Sequence, residues 1–498
     1  MKNDHQTLIQ NQNPSINGLK EKMNEAVLHS LFEKCKDVKF QSVHVNEHSL
    51  QLIFCEGLIN SDEFNAVILD KLENFLHQQQ KLSAEVIQKG LLVPDLQPID
   101  NTEKVVSEVF SGKLLLFFTQ PELTFSTNIA KMPRRKPEES KTEAAIKGPR
   151  DNFIEDLTVN VSLIRKRLRT NTLCYEQYEV GRRTNTRIGV LYINDIANQE
   201  ILKQIKEKIN AIDVDGLYSG SQLKEFLNDA PFAFIPRYHY TGRPEFAVQG
   251  LLTGRFIILV DGVPYAIIVP SNFALMLKTA EDTETSFLYN SFERLMRVLG
   301  LSISTFLPGF WVALTAFHQN QIPMTFLATI VESRRGVPLP SGLEAFLMIF
   351  LFELFREAGM RLPLAIGQTL SVVGGLIIGD AAIRAGLTNP SMLVVIGAST
   401  VATFTQGNQS VVGSISLLRL FVLFCSSILG LFGFFISFYF ILFYVARIRT
   451  FGVPFLMEST RVNMFNLLKT YFHLPAQKSF SRPKGLDPLD EAKQGRRK

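Results

Sequence analysis

Cysteine is scarce in this chain, and the four that occur, Cys35, Cys55, Cys174 and Cys425, stand far apart. None has a partner at metal-ligand spacing, so a metal site is not expected. Scattered thiols fit free cysteines facing a reducing compartment. The histidines are equally isolated, and no Ser-His-Asp or Cys-His arrangement emerges. The expectation is a protein that is not an enzyme and uses no cofactor. Walker and GxGxxG fingerprints are missing, which leaves a nucleotide site without support. The formal net charge of +5 is too mild to call for nucleic acid. The opening stretch "MKNDHQTLIQNQNPSING" lacks an apolar core, which predicts no cleaved signal peptide. Charge itself is what residues 299–446 lack: 11 charged side chains in 148 positions, among Phe-rich runs. That is membrane composition.

What is present divides accordingly. Residues 1–27 read as a polar tail and 28–130 as a first cytosolic α/β subdomain. A charged, Pro-containing linker follows at 131–148. Residues 149–290 read as a second α/β subdomain, 291–456 as a multi-pass membrane domain, and 457–498 as a basic cytosolic tail. The fold class expected is thus an α/β soluble N-terminal region of two subdomains followed by an all-α multi-pass membrane domain. In the first subdomain "VKFQSVHV" (38–45) and "SLQLIFCE" (49–56) predict strands joined by a turn through Asn46. Helices are expected at 61–78 and 103–110, then a buried strand at 113–119. The second subdomain predicts a helix at 153–169, strands near 173–180 and 187–193, and helices at 197–210 and 221–228. In "RFIILVDGVPYAIIVP" (255–270) the Asp261-Gly262 pair divides the run into a β-hairpin rather than a membrane span. "VSEVFSGKLLLFFTQ" (106–120) and "VQGLLTGRFIILVDG" (248–262) echo one another, each reading helix end, Ser/Thr-Gly-Lys/Arg, apolar strand. The echo fits a repeated subdomain or chance alike, since helix-Gly-strand joints are common.

Apolar segments occur at 299–317, 364–379, 392–404 and 420–446. Pro308-Gly309 predicts a kink or break in the first, and the last reads as one long span or two pieces around "GLFG". Arg294 and Arg297 before the first segment, and 11 Lys/Arg against four Asp/Glu in 447–498, place both termini in the cytosol. An even number of crossings follows. Four such spans would leave Arg334, Arg335, Arg356 and Arg361 on the outside, against the same rule, so 322–358 is expected to re-enter or to add crossings.

The run "FELFREAGMRLP" (352–363) concentrates Glu353, Arg356, Glu357 and Arg361 in this apolar half. On a helix Glu353 shares a face with Arg356 and Glu357. Two readings stand: a paired charge that orders packing, or a group lining an ion path. Glu344 and Asp380 each fit the end of a span, and Gln368 carries little alone. Gly374, Gly375 and Gly379 fit close helix packing. Ser399, Thr400 and Thr403 bond their own helix backbone or line a pore.

Six motifs occur in order: "KGPRDNFIEDL" (147–157), "GRRTNTRIGVLYI" (181–193), "GRFIILVDGVPYAIIVP" (254–270), "FELFREAGMRLP" (352–363), "GQTLSVVGGLIIGDAAIRAGL" (367–387) and "RTFGVPFL" (449–456). Over roughly residues 145–456 they closely resemble the A subunit of bacterial spore germinant receptors, the GerA-type family. The resemblance implies a multi-pass protein of the spore inner membrane. It implies a transporter-like B subunit and a lipoprotein C subunit as partners, and self-association into a ring in membrane lipid. The ring is expected to act as a nutrient-gated channel for monovalent cations. Glu353, Arg356, Glu357 and Arg361, with Gln368 and Asp380, then become gating or pore-supporting candidates. Pro149, Arg150 and Asp151, and Arg182, Arg183 and Thr184, occupy the family's cytosolic motifs. The sequence departs from the family at "TGRPE" (241–245), at Asp380 and at "EDTE" (281–284). A secondary transporter and a non-conducting scaffold are the alternative functions.

Overall fold

Strand β4 shows why the first half folds as it does. In a computed structural model of the chain, residues 23–46, 48–79, 81–131, 151–228, 233–361, 379–407, 409–457 and 482–492 are described. Packing divides the chain into two compact units, Met1–Arg134 with Val161–Glu176, and Arg135–Asn160 with Gln177–Lys498. In the first unit β4 (Lys113–Phe118) turns Leu114, Leu116 and Phe118 to one apolar core and Leu115 and Phe117 to another. A strand covered on both faces has no polar side to show, hence its unbroken apolar sequence.

That strand lies at the centre of an antiparallel sheet ordered β1-β2-β4-β5-β3. The strands are β1 (Val38–Val45), β2 (His48–Cys55), β3 (Gln97–Pro98) and β5 (Leu123–Asn128). Asn46, at φ 54°, turns β1 into β2 as expected. Helices accompany the sheet: α1 (Glu25–Phe32), α2 (Leu69–Gln78), which continues the helical turns Ser61–Glu63 and Phe64–Ile68, α3 (Ala84–Gly90) and α4 (Thr102–Val109). Asn24, Ser83 and Asn101 cap the first, third and fourth by accepting backbone N–H bonds.

Helix α5 (Leu157–Arg165) leads into a second sheet, ordered β6-β7-β9-β10-β8. Its strands are β6 (Leu173–Val180), β7 (Thr186–Ile193), β8 (His239–Thr241), β9 (Phe256–Val260) and β10 (Ala266–Val269). Helices α6 (Gln199–Asn210), α7 (Gly220–Leu227) and α8 (Pro244–Leu252) intervene. Counted along the chain, both sheets have the order first, second, fourth, fifth, third. The sequence echo falls on the same joint in each. In one, α4 passes through Gly112 at φ +85° into β4; in the other, α8 passes through Gly254 at φ +89° into β9. Left-handed backbone ends a helix with little penalty only at glycine. Residues 255–270 form the expected hairpin, β9 pairing antiparallel with β10 around Gly262.

Helices make up most of the rest: α9 (Phe287–Phe317), α10 (Met324–Ser333), α11 (Ser341–Arg361), α12 (Gly379–Arg384), α13 (Pro390–Thr403) and α14 (Gln409–Arg447). Phe287–Phe317 and Ser410–Arg447 are long and apolar enough to cross a membrane. Of the kink or break expected at Pro308, the break does not occur: α9 runs through it. Proline removes the N–H that Ser304 would otherwise receive. The Ser304 carbonyl accepts instead from Ser399 Oγ, 3.0 Å away on α13.

Helix α14 is two helices around Gly430, whose φ 63°, ψ −140° is not helical. The rings of Phe421 and Phe440 are 5.4 Å apart, whereas 19 residues of straight helix would separate them by about 28 Å. The arms therefore fold back on one another, and of the two expected readings the broken one holds. The stretch 322–358 supplies α10 and most of α11. The expected linker 131–148 lies outside the described residues apart from Lys131, and the 364–379 segment lies outside them apart from Gly379.

Candidate functional site

Helix α11 carries the charged run into the helical half. Glu353 Oε1 accepts from Arg419 Nη2 on the first arm of α14, and Glu353 Oε2 accepts from Arg356 Nη2 one turn further along α11. Arg419 is only 1% exposed. Its Nη1 donates to Ser399 Oγ at 3.3 Å, and Arg356 Nη1 donates to Ser416 Oγ at 2.9 Å. Through Ser399 the network reaches the Ser304 carbonyl of α9. One carboxylate thus ties four helices. Both of its oxygens are engaged by guanidinium groups, so it offers no bare carboxylate to a passing ion. With two arginines to one glutamate, the cluster is net positive. The Nε atoms of Arg356 and Arg419 are buried without a hydrogen-bond partner among the described residues.

The other expected site residues distribute as follows. Glu357 does not join Glu353; its Oε1 accepts from Arg361 Nη2 at 2.7 Å in an exposed pair. The preference for an oppositely charged neighbour one turn on decides this. Asp380 is likewise an exposed partner, of Arg384 at 2.7 Å. Gln368, Pro149 and Arg150 lie outside the described residues, and Asp151 is half-buried ahead of α5.

Arg182, Arg183 and Thr184 form a loop clasp. Arg182 donates to both oxygens of Asp213, at 2.8 and 2.5 Å, and the Arg183 N–H donates to the Asp215 carbonyl. Thr184 Oγ1 accepts from the Leu217 N–H at 3.1 Å and packs tightly on Gly181 and Gly216. Asp213 raises the pKa of Arg182 above its ordinary value.

One residue of this region, Arg419, escaped the sequence reading, and two others, Glu344 and Ser399, have partners it did not foresee. Arg419, directly before the apolar 420–446 segment, carried one available signal, that of a lone cation inside the apolar run 411–446. Glu344 fitted a span end but is fully buried. Its Oε1 accepts from Thr388 Oγ1 at 2.8 Å and from the Asn389 backbone N–H and Nδ2, each at 2.7 Å. Ser399 bonds across helices, whereas Thr400 and Thr403 donate to carbonyls of their own helix, Ile396 and Ser399.

Comparison with known proteins agrees with the motif order. The profile of the Bacillus/Clostridium GerA spore germination protein family matches residues 26–485. Spore germination protein XA of Bacillus anthracis is 43% identical over 478 residues, covering 95% of this chain and 97% of that protein. Spore germination protein KA of Bacillus subtilis (strain 168) is 29% identical over 464 residues, covering 92% of this chain and 85% of the relative. Among solved structures, the crystal structure of the N-terminal domain of the A subunit of the Bacillus megaterium spore germinant receptor GerK3 matches with a TM-score of 0.39 at 22% identity. That match covers 50% of this chain and 93% of the other. Family profile, relatives and motif order together make the chain a member of the GerA spore germination protein family.

Proposed function

We propose that the chain is the A subunit of a spore germinant receptor, required for germination in response to nutrients. It acts as a multi-pass protein of the spore inner membrane, with both termini in the cytosol, beside a transporter-like B subunit and a lipoprotein C subunit. Several copies associate into a ring in membrane lipid and form a nutrient-gated channel for monovalent cations. Support for the membrane assignment comes from the helices Phe287–Phe317 and Ser410–Arg447. Folded at Gly430, the second supplies two arms of about 31 and 25 Å by helical rise, near hydrocarbon thickness.

The observation that carries the channel reading is Glu353 with its two arginines. Charge held between apolar helices is expensive in a membrane and is kept where function requires it. Because Glu353 joins α11 to α13 and α14, its part is to support the pore wall or its gate rather than to bind the ion. Incorporating the purified chain into lipid vesicles and measuring rubidium uptake tests the reading. Uptake that needs no substrate gradient supports a channel. Uptake driven only by such a gradient indicates a transporter, and no flux with or without the partner subunits indicates a scaffold.

A further inference from the structure

A second buried charge network lies where the second sheet hands over to the long helices. Asp282 lies in the short 3-10 helix Ala280–Thr283, within the connection from β10 to α9. Its Oδ2 accepts from Arg294 Nε and Nη2 at 3.1 and 2.9 Å. Its Oδ1 accepts from Arg297 Nη1 at 3.0 Å and from Thr279 Oγ1 at 2.7 Å. The Asp282 carbonyl accepts from Asn290 Nδ2. Arg297 also donates to the Leu277 carbonyl at 2.7 Å. All three charged side chains are buried.

The same knot reaches outward in three directions. The Arg297 carbonyl accepts from Gln406 Nε2 at 2.8 Å, in the turn between α13 and α14. Beside it Gly407 packs on the Thr279 side chain and Gly300 packs beneath Thr405, neither with room for a Cβ. Toward the sheet, Glu281 faces Arg243 at 4.0 Å, and Arg243 is held by Glu245 at 2.6 Å in the first turn of α8. Met276 packs with Ile448 and Phe455, beside Tyr444 and Val445 on the second arm of α14.

Apolar helix contacts slide past one another at little cost, and shear motions use that freedom. A buried carboxylate shared by two guanidinium groups does not slide, because displacing it leaves charge buried and unpaired. We infer that residues 277–282 are the mechanical joint between the second sheet and the long helices. Asp282 is its hub, and Gln406 is the tie to the α13–α14 turn. Movement of the loop is then delivered to α9 and to residues 405–407 instead of being absorbed. The inference rests on the germination role proposed above and not on conduction.

The test uses spores carrying Gln406→Ala or, separately, Asp282→Asn, with receptor abundance followed by immunoblot and germination scored against nutrient concentration. Gln406→Ala cuts the tie and leaves every buried charge paired, so the receptor accumulates normally. The nutrient concentration for half-maximal germination then rises about five- to tenfold, the lower end of the range of an ordinary coupling between sites. Asp282→Asn shifts it at least as far wherever it accumulates. An unchanged dose response for Gln406→Ala at normal abundance overturns the inference. A chain that conducts nothing in vesicles defeats the channel reading and leaves this dose response to stand on its own.

Discussion

Asp37 and Arg165 show how single residues hold the first unit together. Arg165 is fully buried, donates from Nε and Nη2 to both oxygens of Asp37 at 2.6 and 2.9 Å, and lies 4.2 Å over the Phe110 ring. Burial disfavours its charge, but the Asp37 carboxylate outweighs burial and raises its pKa. Asp37→Ala leaves that guanidinium buried and unpaired, at a cost of about 3–5 kcal/mol. Cys35 and Cys55 report on the same place. Burial pushes both thiols up, and the neighbouring Asp37 charge pushes Cys55 further. Maleimide at pH 8 should therefore spare both cysteines in the native chain, and Asp37→Ala should bring their labelling to lower denaturant; an unshifted labelling midpoint contradicts this account. His239 gives a pH signature in the second sheet. Burial, with Arg255 adding to it, lowers its pKa from 6.5 to about 3. The folded state prefers neutral imidazole, so this stability is complete above pH 6.5 and is lost as pH falls toward 3. One group contributes a slope of about 1.4 kcal/mol per pH unit across that window. His239→Gln should remove this contribution in acid unfolding of the full chain.

Among elements, the hairpin at Gly430 is the most exposed to a single change. A side chain there would adopt an unfavourable backbone and place Cβ 2.9 Å from Phe317 Cβ and 3.0 Å from His318 Cε1. The backbone strain alone costs roughly 1–3 kcal/mol. Gly430→Val should therefore lower receptor abundance in the membrane fraction, while Gly413→Ala, where a Cβ meets nothing, should not. Strands and hairpins were legible because period-two burial and turn residues are local signals. Asn46 and Asp261-Gly262 each fixed a turn from two or three letters. At Pro308 the local rule allows a kink or a break, and it does not tell that the freed Ser304 carbonyl is satisfied by Ser399, 95 residues away, so that the helix continues. The charged site was half legible for the same reason. Glu353 and Arg356 are neighbours on one turn, but Arg419 meets Glu353 across 66 residues, and no spacing rule reaches that far.

At the scale of the whole molecule, a repeated β design precedes a set of helices in which charge is rare and internally paired. The equal strand orders and the matching helix-glycine-strand joints at Gly112 and Gly254 give the 106–120 and 248–262 echo a structural meaning. In the helical half, Glu353 is the one acidic group shared by two arginines from different helices among the described residues. Replacing it with glutamine leaves those arginines facing each other without a counter-charge. The central claim, that this cluster supports a cation channel used in germination, is tested most directly by nutrient-triggered potassium release from dormant spores carrying Glu353→Gln, with receptor abundance checked by immunoblot. The account predicts that release, normalised to the receptor present, fails or slows at least tenfold. Normal release at normal abundance contradicts it, and leaves the cluster as packing between helices.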